Sequence, residues 1–283
     1  MKWRAGQVAA ASVTGTAALA WLVAGATPAA ARLLRVATGA SAAAAVAAAT
    51  PGDTVLLAAG SFKETIQIPP GVCLRGAGAG RTVLTHPGNE VVRASGGRSA
   101  AGAAGAALIA LTVRDARTGI TIDGADLRVA DCHIEECKEV GVRVRGPARV
   151  ELANDVLEDN EVAVLVREGG ELRIHDSEIR GCEVGLDVDS GAIDVAASSL
   201  IGNQLGAVVR GTGRLVLGDR PAAANRIYKN RQETVRNLTS IPVRARYNFW
   251  GSLDCAFARG LTGPVRYLPF MNLALDDSVA TCP

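Results

Sequence analysis

Apolar and polar positions alternate along most of the chain in short runs, and between Leu108 and Gly251 these runs return every 21 to 23 residues. Each unit opens on four residues of which every second one is apolar, and it closes on two apolar residues two positions apart. The opening runs are Asp126–Val129, Arg149–Leu152, Glu171–Ile174 and Ala192–Val195. A two-residue period inside a longer repeat predicts short β-strands rather than helices.

A repeat of this length cannot bury its own apolar row, so successive units must stack and supply one another's core. The sequence therefore predicts an all-β fold, a parallel β-helix in which each coil stacks on the last, over residues 32–251. Leucine-rich repeats have a similar period, but their L-x-x-L-x-L-x-x-N-x-L spacing is absent, as is the calcium-binding pattern G-G-x-G-x-D.

The two ends of the repeat differ from its centre. Alanine-rich residues 41–49 predict a short helix with Ser41 as N-cap, which would cover the open end of the stack. Residues 252–283 lose the repeat and predict a C-terminal cap. Cys255 and Cys282 bracket this tail, so a disulfide between them would fix it over the last coil.

Three segments resemble the right-handed, pectin-lyase-like parallel β-helix family, over about residues 36 to 251. Residues 49–68 contain the run G-D-T-V followed by G-S-F-K-E, which is similar to the opening coil of such proteins. Residues 72–84 continue this coil, and Tyr247-Asn-Phe-Trp-Gly251 resembles the motif that often ends the helix. The resemblance implies the fold more than the function, since the same scaffold carries lyases, hydrolases, esterases and proteins without known catalysis.

The N-terminus has the composition of a secretory signal. Lys2 and Arg4 precede a long alanine-rich apolar run, and small residues follow it up to Ala31. We predict a signal peptide over residues 1–31, cleaved after Ala31, and a secreted or periplasmic protein with no stable membrane span after cleavage. The alternative is an uncleaved membrane anchor, because the apolar run approaches the length that spans a bilayer.

Charge and cysteine usage limit the partners. Without residues 1–31 the chain has 28 basic and 28 acidic residues, so charge predicts no nucleic-acid partner. Cys132, Cys137 and Cys182 lie inside the repeat. The latter two share one column but lie two coils apart, about 10 Å, too far for a disulfide or a shared zinc ion. We interpret them as small packing residues.

Polar residues recur at fixed positions of the repeat. Asn160, Asn203 and Asn230 share one position and predict a ladder of amide hydrogen bonds, interrupted by Cys182. Residues 94–107 are small and nearly uncharged, which predicts a loop that either borders a binding groove or is a neutral insertion.

Two groups of outward columns carry charge. Arg128, Glu151, Arg173 and Asp194 alternate in sign, and we interpret this column as structural, because it penalises slips that bring like charges together. The other group contains Arg143, Asp187 and, one column further out, Arg145, Arg167, Asp189 and Arg210.

This second group is similar in kind to the site of polysaccharide lyases of this fold, in which acidic residues hold calcium and a nearby arginine or lysine removes the proton next to a uronate carboxylate. The resemblance implies Ca²⁺ ligands at Asp187 and Asp189, the base or charge stabiliser at Arg167 or Arg210, and substrate contacts at Arg143 and Arg145. The alternative is a second salt-bridge ladder.

Other catalytic patterns are weaker. Glu135, Glu136, Glu158 and Asp159 form an acidic turn that either holds a glycosidase carboxyl pair or is a solvated edge. His133 and His175 occupy different repeat positions, and a copper site is not supported. We therefore predict a protein that engages a polysaccharide or cell-envelope glycan, with pectate- or alginate-lyase-like β-elimination as the reaction to test. The rival hypothesis is a non-catalytic surface or assembly scaffold.

Overall fold

The computed structural model describes residues 30–96 and 105–282. The predicted signal peptide lies outside the described residues except for its last two, and so does the centre of the small-residue loop at 97–104. In the described ranges, no helix combines the length and the apolar character that crossing a membrane requires.

The chain consists of short strands that repeat in groups of three. The strands before the small-residue loop, with the one α-helix of the described chain, are β1 (Leu33–Val36), α1 (Ala42–Ala47), β2 (Thr54–Leu57), β3 (Gly60–Lys63), β4 (Ile66–Ile68), β5 (Cys73–Arg75), β6 (Thr82–Thr85) and β7 (Glu90–Ser95).

The central coils have strands of three to six residues. They are β8 (Ala106–Ile109), β9 (Thr112–Arg114), β10 (Thr118–Asp123), β11 (Asp126–Ala130), β12 (His133–Glu135), β13 (Val140–Arg145), β14 (Arg149–Ala153), β15 (Val156–Glu158), β16 (Val162–Arg167), β17 (Glu171–His175), β18 (Glu178–Arg180), β19 (Val184–Asp189), β20 (Ala192–Ala196), β21 (Ser199–Ile201) and β22 (Leu205–Arg210).

The C-terminal part has shorter strands and two 3₁₀ helices, Pro221–Ala223 and Ala256–Gly260. Its strands are β23 (Arg214–Leu217), β24 (Arg226–Tyr228), β25 (Glu233–Asn237), β26 (Val243–Arg244), β27 (Leu261–Thr262), β28 (Val265–Arg266), β29 (Phe270–Met271) and β30 (Ser278–Val279).

From β5 to β26 each strand pairs in parallel with the strand three places before it, which produces three long sheets and confirms the predicted parallel β-helix. The eleven-stranded sheet has the order β1-β2-β5-β8-β11-β14-β17-β20-β23-β26-β28. The nine-stranded sheet runs from β4 through β7, β10, β13, β16, β19, β22 and β25 to β27, and the eight-stranded sheet from β3 through β6, β9, β12, β15, β18 and β21 to β24.

The repeat alignment gives the observed register. Leu127 pairs with Val150, and Val150 with Leu172, as the aligned opening runs predict. These apolar side chains point inward and are at most 4% exposed, whereas Arg128, which follows Leu127, faces solvent. Alternate residues of one strand point to opposite faces, so one continuous aliphatic core fills the interior of the coils.

Both ends of the stack have a cap. At α1 the Ser41 hydroxyl accepts a hydrogen bond from the Ala44 N–H, and Ala42 and Val46 are buried. At the other end parallel pairing continues beyond residue 251, since β27 and β28 pair with β25 and β26. Cys255 and Cys282 form a disulfide with a Cα–Cα distance of 5.7 Å.

Asparagines at one corner satisfy the backbone of the neighbouring coil. Asn160 Oδ1 accepts from the Cys137 N–H at 3.0 Å, and Asn203 Oδ1 accepts from the Cys182 N–H at 3.0 Å. Asn230 continues the column and is joined to Asn203 amide to amide at 3.2 Å. The predicted ladder is therefore present and interrupted at Cys182, but most of its bonds go to backbone N–H and C=O groups.

A second corner has a longer ladder that the sequence analysis missed. Each member accepts a hydrogen bond from the backbone N–H of its counterpart in the coil before, over distances of 2.8 to 3.1 Å. The first donor is the Cys132 N–H, and the acceptors are Asp155, Ser177, Ser198, Asn225 and Asn248. All five acceptors are at most 5% exposed, so they satisfy backbone groups that no water reaches.

The thiols inside the coils are free and buried. Cys132, Cys137 and Cys182 are at most 2% exposed. Burial raises the pKa of Cys137 to about 12 and that of Cys182 to about 11. Thiols of this kind stay protonated at neutral pH and behave as apolar packing groups, which agrees with the interpretation from the sequence.

Asp155 should make stability depend on pH. Burial raises its pKa to about 7, although the N–H groups of Cys132 and Ala153 donate to its oxygens and partly offset the effect. An unfolded carboxyl titrates near pH ~4, so between about pH 4 and 7 the native state keeps a proton that the unfolded chain has released. Stability therefore falls as the pH rises through this window, by on the order of 4 kcal/mol.

We expect Asp155→Asn to remove most of this fall. Urea unfolding at pH 5 and pH 8 measures it, with Asp159→Asn, an exposed turn residue, as the matched control. Equal pH dependence in Asp155→Asn and the wild type would contradict the assignment.

Candidate functional site

The outer face of the nine-stranded sheet contains the residues predicted from the sequence to form a lyase site. Leu165 pairs with Asp187, and Asp187 with Val208, while Arg167, Asp189 and Arg210 form the neighbouring column. Both predicted columns are therefore present. Their side chains alternate with the inward residues of β16, β19 and β22, which places them on one outer face.

One carboxylate of this face is fully engaged by one arginine. Arg210 Nε donates to Asp187 Oδ1 at 3.1 Å, and a second guanidinium nitrogen contacts Oδ2. Arg210 thus reaches diagonally to Asp187 rather than to Asp189, its direct neighbour in the sheet. Asp187 is 5% exposed, so the guanidinium compensates a carboxylate that has lost almost all contact with water.

The other predicted pair is looser. Arg167 Nε lies 3.9 Å from Asp189 Oδ2, and the Ser190 hydroxyl donates to Asp189 Oδ1 at 3.3 Å. The two side chains are 46% and 36% exposed. The Arg167–Asp189 pair is therefore more accessible to a ligand than the buried carboxylate of Asp187.

The geometry does not fit the predicted calcium site. Calcium takes six to eight oxygen ligands. Both oxygens of Asp187 are held by Arg210, and in the described part of the chain no three-ligand group of His, Cys, Asp and Glu includes Asp187 or Asp189. A calcium ion would have to displace Arg210.

The predicted substrate-binding arginines are also paired. Arg143 lies 3.4 Å from Glu139, and Arg145 lies 3.0 Å from Asp123, which it shares with Arg93. This face is therefore close to self-neutralised. Its charges can exchange partners with a ligand, but they do not present an excess of one sign.

The eleven-stranded sheet differs, although the sequence suggested that its charged column was structural. Its outer face contains a groove of about 780 Å³, lined by the ends of β8, β11, β14 and β17 and bordered by Arg149, Glu171 and Arg173. Arg128 pairs with Glu151 at 4.0 Å and Arg149 with Glu171 at 3.4 Å. The predicted alternation of sign is present here and holds across four strands.

Beyond this alternation the same face becomes basic. Val216 stands where the column would require a further charge, and Arg244 and Arg266 follow it, directly opposite each other. Asp219 offsets part of this charge, since it lies 3.7 Å from Arg244 and 2.7 Å from Arg246. These arginines, together with Tyr267, line a second cavity of about 380 Å³.

Three arginines of this face between β17 and β28 lack a carboxylate partner. Within residues 30–96 and 105–282, no acidic oxygen lies within 4.0 Å of Arg173, Arg214 or Arg266. Arg173 and Arg266 share one column and Arg214 lies in the next. This surface could not be read from the sequence because the aligned opening runs stop at Ala192–Val195. The pattern that could have indicated this surface is that Arg244 and Arg266 stand opposite each other, where alternation of sign would place an acidic residue.

The comparisons with known proteins identify the fold. A family model described as "Right handed beta helix region" matches residues 97–235. No curated protein sequence matches the chain. Among solved structures, the chain is similar to an alginate lyase from Paenibacillus sp. str. FPU-7, with 16% identity, a TM-score of 0.51, and 83% of this chain and 98% of that chain covered.

Two further structures have the same kind of similarity. A pectate lyase is 14% identical with a TM-score of 0.52, and the match covers 78% of this chain and 70% of the other. A pectin methylesterase from Erwinia chrysanthemi is 12% identical with a TM-score of 0.52, with 91% and 100% covered. At these identities the similarity establishes the shared fold, in agreement with the resemblance in the sequence.

The Asp187–Arg210 pair should be important for stability. Arg210→Gln leaves a buried carboxylate without its ionic partner, and we expect the free energy of unfolding to fall by about 1–3 kcal/mol. Arg167→Gln removes an equal charge from a half-exposed pair and should change it by less than about 0.5 kcal/mol. Urea unfolding of both variants measures the difference, and equal effects would show that Asp187 does not depend on Arg210.

Proposed function

Because this chain is a right-handed parallel β-helix protein, we propose that it binds an acidic polysaccharide along the outer face of its eleven-stranded sheet. The observation that carries the proposal is the set of arginines without carboxylate partners between β17 and β28, which are Arg173, Arg214 and Arg266. A polymer with one carboxylate on each sugar would supply these partners from outside the chain.

Arginine suits this role because its planar guanidinium donates two parallel hydrogen bonds to one carboxylate. Arg173 and Arg266 stand four strands apart in one column, about 19 Å at the usual strand spacing. A chain of several sugars could therefore contact the groove beside Arg173 and the cavity beside Arg266 together. Once one end of the polymer is bound, binding at the second place becomes intramolecular, which raises the overall affinity.

The similar structures support the choice of ligand class. The three described above, each with a TM-score above 0.5, are named as an alginate lyase, a pectate lyase and a pectin methylesterase. Alginate, pectate and pectin are built from uronate sugars, so a polymer of that class is the natural first ligand to test. The scaffold hypothesis predicts instead that no such polymer binds.

Affinity electrophoresis through gels containing polygalacturonate or alginate tests the proposal. We expect Arg173→Gln/Arg214→Gln to weaken binding about thirtyfold, since two charge-assisted bonds are lost and each contributes on the order of 1 kcal/mol. Arg117→Gln/Arg236→Gln is the matched control, because it removes the same charge from arginines that have their own acidic partners at 2.6 and 2.8 Å.

Dextran, a neutral polymer, should not retard the protein. Equal weakening in both double variants would show that the polymer is attracted by overall charge and not by Arg173 and Arg214 in particular. Failure of the folded wild type to bind either uronate polymer would favour the scaffold hypothesis.

A second candidate function is β-elimination at the nine-stranded sheet, and the half-exposed Arg167–Asp189 pair is the observation that favours it. In this reaction a base removes the proton next to the uronate carboxylate, and the glycosidic C–O bond breaks as a C=C bond forms. The departing sugar oxygen then takes up a proton. Arg167 would neutralise the uronate carboxylate, which makes that proton easier to remove.

The elimination product absorbs ultraviolet light, so absorbance measures the reaction directly. We expect Arg167→Gln to abolish any increase and Arg236→Gln, a paired arginine on the same sheet, to preserve it. Adding Ca²⁺ tests the predicted cofactor separately, and a calcium-dependent signal that requires Asp189 would support the calcium ligands predicted from the sequence. No signal on any polyuronate from folded protein would exclude this function and leave glycan binding unaffected.

A further inference from the structure

Three potential metal ligands converge on the outer face of the eight-stranded sheet, away from both surfaces described above. His133 and Glu135 are two residues apart on β12 and therefore point to the same side. Glu158 on β15 is paired directly with Glu135. One ligand atom from each of these residues lies within 4.8 Å of the others, and in the described ranges this is the one such group of three.

The two glutamates need positive charge beside them. Like charges directly opposite each other on neighbouring strands destabilise a sheet. The charged column of the eleven-stranded sheet avoids this problem by alternating its signs, whereas Glu135 and Glu158 are adjacent. The arrangement is stable only if positive charge lies between or beside them.

Arginines compensate the far side of this pair. Arg180 lies 2.5 Å from Glu158 Oε2, and Arg114 lies 3.6 Å from Glu135 Oε1. The opposite oxygens, Glu158 Oε1 and Glu135 Oε2, lie 2.6 and 3.6 Å from His133 Nε2. Each carboxylate is thus held by an arginine at one oxygen and directs the other toward the imidazole.

His133 Nε2 has no proper partner in this cluster. The atom is shielded from solvent, and although Glu158 Oε1 is close, their orientation does not form a hydrogen bond. His175 shows the contrast. Its two ring nitrogens have partners at 2.8 and 2.9 Å, Glu151 and Asp176, in good geometry. A nitrogen that faces two carboxylate oxygens without a hydrogen bond to either can instead join them in binding a metal ion.

We propose that His133, Glu135 and Glu158 bind a divalent transition-metal ion, with Zn²⁺ as the first candidate. One imidazole nitrogen and two carboxylate oxygens are a donor set that Zn²⁺ takes at about 2.0–2.2 Å, which small side-chain rotations would provide. The ion would add positive charge between the two glutamates, on the side away from the arginines. Arg114 and Arg180 would orient the carboxylates from behind.

The site would remain open on one side. The three side chains are 26%, 18% and 19% exposed, so solvent can fill the remaining coordination positions and the ion can enter. All three ligands project from strands rather than from loops, which fixes their spacing.

Isothermal titration with ZnCl₂ tests the proposal on the whole protein after treatment with EDTA and dialysis. A Cys73→Ser background removes the one free thiol of the described chain that is not fully buried. We expect one ion per chain, and we expect His133→Gln and Glu158→Gln each to weaken binding at least tenfold. His175→Gln is the matched control and should bind as the parent does. Excess Ca²⁺ should not compete, since the imidazole favours a transition metal.

Thermal unfolding of each variant shows whether it is folded. No zinc binding by the folded parent would overturn the proposal and leave His133 as a packing neighbour of the two glutamates. Binding that survives His133→Gln would place the zinc elsewhere and overturn it equally. Because the site lies on a different sheet, neither result bears on glycan binding.

Discussion

Main-chain hydrogen bonds between stacked coils are the interaction on which the other features depend, because they require each coil to lie in register on the one before. A slip by one residue would turn the aliphatic row that contains Leu127 and Val150 toward solvent. It would also separate the corner acceptors from the N–H groups that they satisfy. Core, ladders and surface columns are therefore consequences of one alignment, and the outer face inherits a spacing of about 4.8 Å between equivalent side chains.

The sequence predicts this alignment well where the repeat is regular. The apolar rows between β11 and β22 pair as their spacing indicates, and so do the charged columns. The ladder from Asp155 to Asn248 could not be predicted in the same way. Its members are an aspartate, two serines and two asparagines, which all have an acceptor oxygen but are different residue types. The longer connection between Ser198 and Asn225 also changes the spacing of the repeat.

The candidate sites show a further limit of sequence reasoning. Register determines which residues are neighbours, but side-chain torsions determine which of them pair. Arg210 reaches Asp187 instead of Asp189, and this choice converts a predicted reactive surface into one that is largely neutralised. Conversely, Glu135 and Glu158 look like an ordinary acidic edge in the sequence. Only the orientation of His133 between them distinguishes this edge from the other polar turns.

The alternating column Arg128, Glu151, Arg173 and Asp194 also bears on how such a chain can lengthen during evolution. Duplication of a single coil would copy one of these residues beside itself and place two like charges one strand apart. Duplication of two adjacent coils would copy an arginine with its acid and preserve the order. Growth of this solenoid is therefore favoured in pairs of coils, and an odd insertion would need a compensating change of charge before it could persist.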